Sequence, residues 1–346
     1  MSKLLTISIA AYNVEKTIEE CLNSFLGCKH LDEFEILVIN DGSQDRTKEI
    51  VSEYEKKYPG IIYLVNKENG GHGSTINKSL SLATGKFFKV IDGDDWINPE
   101  EFDKLCDWLE KTDSDLIVNA FKWCYPDNPY EEHSENEYIL HHTYTFDEMY
   151  SVMGPSTPAF PMTSITIATD KLLKVGMHIK EKCFYADNEY IFFCYMAADT
   201  VSFDSSCAYQ YRMGQATQSV SSEGFYRHLD DYFVIFGDLM DIYREKLPLF
   251  DETSKEKYIF RFLEIYYNAI YITMVDKITN PGKDHLLAEN IQKFRNKDQN
   301  LFSRFRLTSM SARFIAKNPN RRIAIVRYIR KTLLFKFLRG IKHLAV

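Results

Sequence analysis

The sequence predicts an α/β domain built on a mostly parallel sheet flanked by helices, followed by a helical C-terminal region. Three observations lead there. From Leu4 to Phe121, apolar runs of strand length alternate with stretches of helical period, joined by short connections. That alternation is the pattern of a parallel sheet with helices on its faces. Several successive strand ends carry polar clusters, and in such sheets ligands gather at the carboxyl ends of the strands. Near Ser221 the composition shifts to long helix-periodic segments, which places a boundary between residues 1–220 and 221–346.

The elements follow in order. Leu4–Ala11 reads as a strand buried on both faces, stopping at Tyr12-Asn13. Val14–Leu26 places Ile18, Leu22, Phe25 and Leu26 at helical spacing. Phe34–Ile39 is a second strand ending in Asn40-Asp41-Gly42-Ser43, and a helix runs from about Asp45 to Tyr58 with Asp45 and Thr47 suited to its start. Ile61–Val65 is a third strand. Gly70, Gly71 and Gly73 open a helix over Ser74–Ala83, which Gly85 closes. Lys86–Ile91 is a fourth strand, and Pro99 begins a helix at a position proline favours. Asp115–Phe121 is a strand, Trp123–His142 a loop or hairpin, Thr145–Met153 a short helix and Val201–Tyr211 a strand. Phe225–Tyr243, Lys257–Met274 and His285–Phe294 are helical in pattern.

The fourth strand ends in Asp92-Gly93-Asp94-Asp95, three carboxylates within four residues. A buried strand that stops in clustered like charges is unfavourable unless a positive group sits there. A hard divalent cation is the simplest such group; magnesium takes oxygen ligands and commonly shares them with substrate phosphates. The expectation is a loop holding a metal-bound nucleotide diphosphate, with Mg2+ or Mn2+ on Asp94 first, then Asp92. The bland alternative is a solvated acidic turn. A second acidic pair, Asp187 and Glu189, starts an apolar helical run.

Composition bounds the remaining classes. Apolar content of 45% and charged content of 26% are those of a globular protein. A net charge of −7 argues against nucleic acid as a partner. Seven cysteines without a CxxC pair read as reduced thiols in a cytoplasmic protein. The N-terminus lacks a signal-peptide pattern, and no apolar run is long enough to span a membrane. Beyond Asp298 the charges are 12 Lys or Arg and no acid. Over Arg321–Val346 the helical pattern puts Val326, Ile329, Leu333, Phe337, Ile341 and Leu344 on one face, with Arg327, Lys331, Lys336, Arg339 and Lys342 largely away from it. Such a helix reads as a peripheral anchor on an anionic membrane surface, or as a helix packing its apolar face on the protein.

In its first 221 residues the chain resembles the family 2 glycosyltransferases, inverting enzymes of GT-A fold. The resemblance rests on Ala11-Tyr12-Asn13, on Asn40-Asp41-Gly42-Ser43-Gln44-Asp45-Arg46-Thr47, on Asn69-Gly70-Gly71-His72-Gly73-Ser74-Thr75-Ile76-Asn77 ahead of Ala83-Thr84-Gly85, and on Asp92-Gly93-Asp94-Asp95 as the DxD element. It implies a nucleotide-sugar donor held by Ala11, Tyr12, Asn13, Asp41, Gly42, Ser43, Gly71, His72, Asn77, Asp92, Gly93 and Asp95. Tyr12 would lie beside the base, Asp41 would accept from a base N–H, and Asp95 would face the donor sugar. The resemblance also implies Asp187 as catalytic base, although Ala186 stands where the family has Glu. Ile76 stands where many members have Arg, which leaves His72 or Lys78 to supply positive charge. Asp45 and Thr47 read as a helix start.

The expected activity is inverting transfer from a nucleotide-sugar, UDP-linked, to a glycan hydroxyl, lipid-linked, in cell-surface polysaccharide or glycoconjugate synthesis. Two alternatives stay open: transfer to a polyprenyl phosphate, and a non-catalytic nucleotide-sugar-binding subunit. An oxidoreductase is set aside, because Ala11-Tyr12-Asn13-Val14 lacks the glycine-rich turn that a dinucleotide needs.

Overall fold

The computed structural model describes residues 3–125, 131–133, 139–153, 159–214, 221–247, 253–276 and 281–331. In the first part, β1 (Leu5–Ala11), α1 (Ile18–Phe25), β2 (Phe34–Asn40), α2 (Thr47–Lys57), β3 (Ile62–Asn66), α3 (His72–Leu82) and β4 (Phe87–Asp92) alternate as the hydrophobic pattern requires. They are followed by β5 (Trp96–Ile97), α4 (Pro99–Leu109), β6 (Leu116–Cys124), β7 (Glu131–His133), β8 (Thr143–Thr145), α5 (Phe146–Met153), β9 (Ile165–Ala168), α6 (Thr169–Val175), α7 (Asp187–Ala197) and β10 (Thr200–Arg212).

The strands form one sheet in the order β3-β2-β1-β4-β9-β6-β10-β5, with β7 on β6 and β8 on β10. The long strands pair in parallel: β1 with β2 and β4, β2 with β3, and β6 with β10. The antiparallel pairings come from the short strands β5, β7, β8 and β9. Register shifts near Cys207 break the β6–β10 ladder, the kind of irregularity that bends a strand. Beyond them, β10 reaches β5 and closes on the acidic loop. β5 itself went unseen in the sequence because a two-residue strand has no period.

The core lies on the face of β1 that carries Leu5, Ile7 and Ile9, packed by Ile18, Leu22 and Phe25 of α1 and Phe102 and Leu105 of α4. On the opposite face Ser8 bonds Ser79 of α3 at 2.8 Å, so β1 is covered on both sides. Thr84 is structural: its N–H and hydroxyl donate to the buried Glu35 carboxylate at 2.8 and 2.7 Å. That contact lies at the end of β2 away from Asp41. All seven cysteines are free thiols.

The described residues fall into two compact units, within Met1–Gln215 plus Lys246–Ile259 and within Ala216–Glu245 plus Phe260–Val346. The expected division at 220/221 therefore passes over a crossing segment. Tyr258 packs against Phe146, Phe160 and Tyr195 of the first unit. The helices after β10 are α8 (Ser222–Arg227), α9 (Leu229–Lys246), α10 (Ser254–Asp276), α11 (His285–Lys297), α12 (Gln299–Arg304), α13 (Met310–Ala316) and α14 (Pro319–Lys331). In the second unit, Phe236 packs against Tyr266, Tyr267, Phe294 and Phe305.

On α14 Val326 packs on the protein, as one of the two readings has it, whereas Arg327 departs from its expected outward place. Ile323 and Val326 are buried, and Arg327 turns inward with them, pairing with Asp284 at 2.7 Å and donating to the Met274 carbonyl. A buried guanidinium is tolerable because it is paired and hydrogen-bonded. Leu333, Phe337, Ile341, Leu344, Lys336, Arg339 and Lys342 lie outside the described residues. Among the described residues no helix is long and apolar enough to cross a membrane.

Candidate active site

The ends of β1 and β2 are stitched together before any ligand is considered. The Asp41 N–H donates to the Ala11 carbonyl at 2.9 Å. Asn13 adopts φ +53°, a left-handed conformation asparagine tolerates. Its N–H donates to the Ser43 hydroxyl at 3.0 Å, and its side-chain oxygen accepts from Gln44 N–H at 2.8 Å. The Val14 N–H donates to the Thr47 hydroxyl at 2.9 Å and the Glu15 N–H to Asp45 at 3.0 Å. Most of the segment from Asn40 to Thr47 is thus scaffolding that fixes two strand ends. Tyr12, by contrast, stands 51% exposed just past the end of β1.

Asp41 is buried and holds the glycine-rich loop. Its Oδ1 accepts from Lys67 Nζ at 2.6 Å and Gly70 N–H at 2.9 Å, and its Oδ2 from Gly71 N–H at 2.8 Å. A carboxylate offers about four lone-pair sites. Oδ1 is filled, and Oδ2 retains one site for a further donor such as a base N–H.

The acidic loop separates its carboxylates by environment. Asp92 Oδ1 lies 2.9 Å from His72 Nε2. Asp94 is partly buried, and burial with the neighbouring Asp92 charge pushes its carboxyl up to about 6. Asp95 departs from the expectation of facing the donor sugar. It is 1% exposed, with Oδ2 taken by the Tyr209 hydroxyl at 2.6 Å and Oδ1 by the Arg212 N–H at 2.7 Å. Burial, then Asp92 and Asp94, hold its carboxyl well above the usual carboxylate range. Gly93 N–H donates to the Ala10 carbonyl at 3.0 Å, which fixes the turn.

Asp187 opens α7, and the segment before it is docked on α3. Asn77 brackets Ile179, donating to its carbonyl at 2.8 Å and accepting from its N–H at 2.9 Å. The Asn77 amide is thus engaged by this loop, where the resemblance implied donor contact. Gly71 has φ +79° at the start of α3, and a Cβ on Gly73 would sit 2.3 Å from the Lys180 carbonyl oxygen. These glycines let the loop approach. Glu189 is buried, with Oε2 accepting the Lys180 N–H at 2.6 Å, which leaves Asp187 as the carboxylate of this pair on the site side. Burial raises the Asp187 carboxyl; His72 lowers it and Asp92 raises it. His72 in turn loses from burial but gains more from Asp92, Asp187 and Asp94, so its ring is held above the usual imidazole range. The structure thus brings Asp92, Asp94 and Asp187 around one histidine. Ile76, in the expected arginine place, is buried.

Four participants escaped the sequence reading. Lys67 anchors Asp41. Tyr209 accepts from the Asp92 N–H at 3.2 Å while donating to Asp95. Arg212 donates through Nε to the Asp94 carbonyl at 2.7 Å, through Nη2 to Glu20 at 2.6 Å, and lies 4.5 Å over the Trp96 ring. The Tyr211 hydroxyl feels Asp92, Asp95, Asp187 and Asp94. The only signal was the run Tyr209-Gln210-Tyr211-Arg212 at a strand end.

The donor set suits a hard cation. Asp92 and Asp94 offer carboxylate oxygens, and burial together with the Asp92 charge raises the Asp94 carboxyl, a cost that a divalent ion would relieve. Among the described residues the loop makes no three-ligand cluster; the grouping of that kind is His30, Glu33 and Glu110 at the surface. One or two carboxylates completed by substrate phosphates is the arrangement magnesium commonly takes.

A parallel α/β sheet with an acidic loop at the end of β4 and an acidic helix start opposite it defines a GT-A fold. Residues 6–167, a little under half of the chain, match the family described as Glycosyl transferase family 2. The chain is 35% identical over 121 residues to the uncharacterized glycosyltransferase EpsJ of Bacillus subtilis (strain 168), a match spanning 35% of each protein. It is 24% identical over 207 residues to the poly(ribitol-phosphate) beta-glucosyltransferase of Bacillus spizizenii, covering 56% of this chain and 32% of that protein. The chain therefore spans about a third of the length of these relatives. The crystal structure of S. aureus TarS 1-349 in complex with UDP-GlcNAc has the same fold, with a TM-score of 0.65 and 19% identity over 94% of this chain and 90% of that one.

Proposed function

We propose that this chain is an inverting, metal-dependent glycosyltransferase that moves a hexosyl or N-acetylhexosaminyl group from a UDP-sugar to a hydroxyl of a glycan acceptor in the building of a cell-surface polymer. The observation that carries it is the approach of Asp187 to His72, which also meets Asp92 and Asp94; on this reading the carboxylates of these two distant segments would serve opposite sides of one reacting carbon. Inversion needs a base for the attacking hydroxyl and charge neutralisation for the leaving diphosphate. Burial of Asp187 strengthens it as a base, since a raised carboxyl holds a proton more readily near neutral pH. Asp94 and Asp92 would hold Mg2+ or Mn2+, which when bound neutralises charge on phosphate oxygens. Tyr12, exposed just past the end of β1 on the strand neighbouring that of Asp41, would pack on the base.

The UDP-sugar donor is supported by the UDP-GlcNAc complex of TarS, and the polymer acceptor by the likeness to a poly(ribitol-phosphate) beta-glucosyltransferase. Attachment of that acceptor to a lipid carrier belongs to the same reading. Asp187→Asn tests it. Turnover of UDP-sugar onto acceptor should fall by about 100-fold or more, the lower range for loss of a positioned base, while UDP affinity by calorimetry stays within about twofold. Asp94→Ala should lose the manganese-dependent part of UDP binding as well. Normal turnover by Asp187→Asn would overturn the assignment of the base.

A further inference from the structure

The second unit carries a surface that the nucleotide site does not use. On α13, Met310 and Phe314 stand exposed one turn apart, Met310 at 81%. On α14, Ile325, Tyr328 and Ile329 are exposed at helical spacing, Tyr328 at 73%. The two helices pack together, and Arg322 of α14 joins them, its guanidinium 4.5 Å over the Phe314 ring and its Nη1 donating to the Phe314 carbonyl at 3.1 Å. Arg313 of α13, Arg321 of α14 and Lys317 in the turn between them are exposed. No acid follows Asp298 in the sequence. Single exposed apolar residues are ordinary, but large ones on two joined helices with only basic charge among them mark an interaction surface.

We propose that this α13–α14 face docks on an anionic lipid bilayer. The chemistry selects the occupant. Basic residues alone would suit any polyanion, including a phosphate polymer, but such a polymer offers no apolar phase for Met310, Phe314, Ile325 and Tyr328. An interfacial helix pair needs both: apolar side chains entering the headgroup–acyl boundary and cations meeting anionic lipid. Val326, on the same helix, is buried in the protein, so the docking face is the side of α14 that carries Ile325 and Tyr328.

The test is flotation of the full chain with vesicles of phosphatidylglycerol and phosphatidylcholine, against phosphatidylcholine alone and against immobilised inorganic polyphosphate. The wild type should float with the anionic vesicles and be released by salt. The variant Met310→Ser, Phe314→Ser, Ile325→Ser, Tyr328→Ser should lose at least about tenfold in vesicle affinity with an unchanged melting temperature, and Arg313→Gln, Lys317→Gln, Arg321→Gln a similar amount. If the serine variant melts early, Tyr328→Asp alone carries the same direction of change. Vesicle binding by a folded serine variant equal to wild type overturns the proposal. Polyphosphate capture without vesicle binding overturns it too, in favour of a soluble polyanion.

Discussion

Tyr209 shows how one hydroxyl sorts two carboxylates. It accepts from the Asp92 N–H and donates to Asp95 Oδ2, and it is wholly buried. Asp95 is thereby turned into the protein, while Asp92 and Asp94 remain partly exposed at the site. Removing a partner from a buried carboxylate leaves desolvation uncompensated. Tyr209→Phe should therefore lower stability by about 1–3 kcal/mol in urea denaturation. A change below about 0.3 kcal/mol would show that the hydroxyl does not hold the loop. Three carboxylates in four residues were plain in the sequence. Which of them points inward was not, because that depends on a tyrosine more than a hundred residues away.

At the scale of elements, the glycine-rich stretch and α3 form a dock for the segment that leads into α7. The Lys182 N–H donates to the Gly70 carbonyl, Asn77 brackets Ile179, and Gly73 faces the Lys180 carbonyl. The motif places the candidate base, besides the donor contact proposed for it. Gly73→Ala would force a Cβ against that carbonyl, and overpacking of this kind costs about 1–3 kcal/mol. Turnover should fall by more than UDP affinity does, because the displaced element carries Asp187. Equal losses in kcat and in UDP binding would mean that the stretch serves the nucleotide alone. Asp45 and Thr47 also act between elements: both were readable as a helix start, and both additionally bind the chain after β1.

The first unit as a whole carries a buried lysine amine within its sheet. Lys89 of β4 is fully buried, its Nζ contacting Asn119 Oδ1 at 3.2 Å and the carbonyls of Thr163 and Ile165 at 3.1 Å each. Burial pushes its amine down to about 7. An unfolded lysine titrates near about 10.4, so between roughly pH 7 and 10 the unfolded chain binds the extra proton. The stability penalty from Lys89 is thus fully present below about pH 7 and is relieved as pH rises toward 10. Wild type should gain stability relative to Lys89→Met between pH 7 and pH 9 in parallel denaturation curves. A constant difference between the two would mean the amine is not depressed by burial.

The sequence by itself determined the order of strands and helices through Phe121, the acidic strand end at Asp92, and Asp187 at a helix start. These are local properties: period, caps and charge clusters are written in neighbouring residues. Only the tertiary structure decided that Asn77 clamps a loop, that Asp95 is buried under Tyr209 and Arg212, and that Val326 and Arg327 of α14 face inward. Each of those depends on a partner distant in the chain, and periodicity identifies an apolar face without identifying what covers it. The composition of the basic C-terminal region was legible; its outward surface emerged when packing chose which side of α14 to bury.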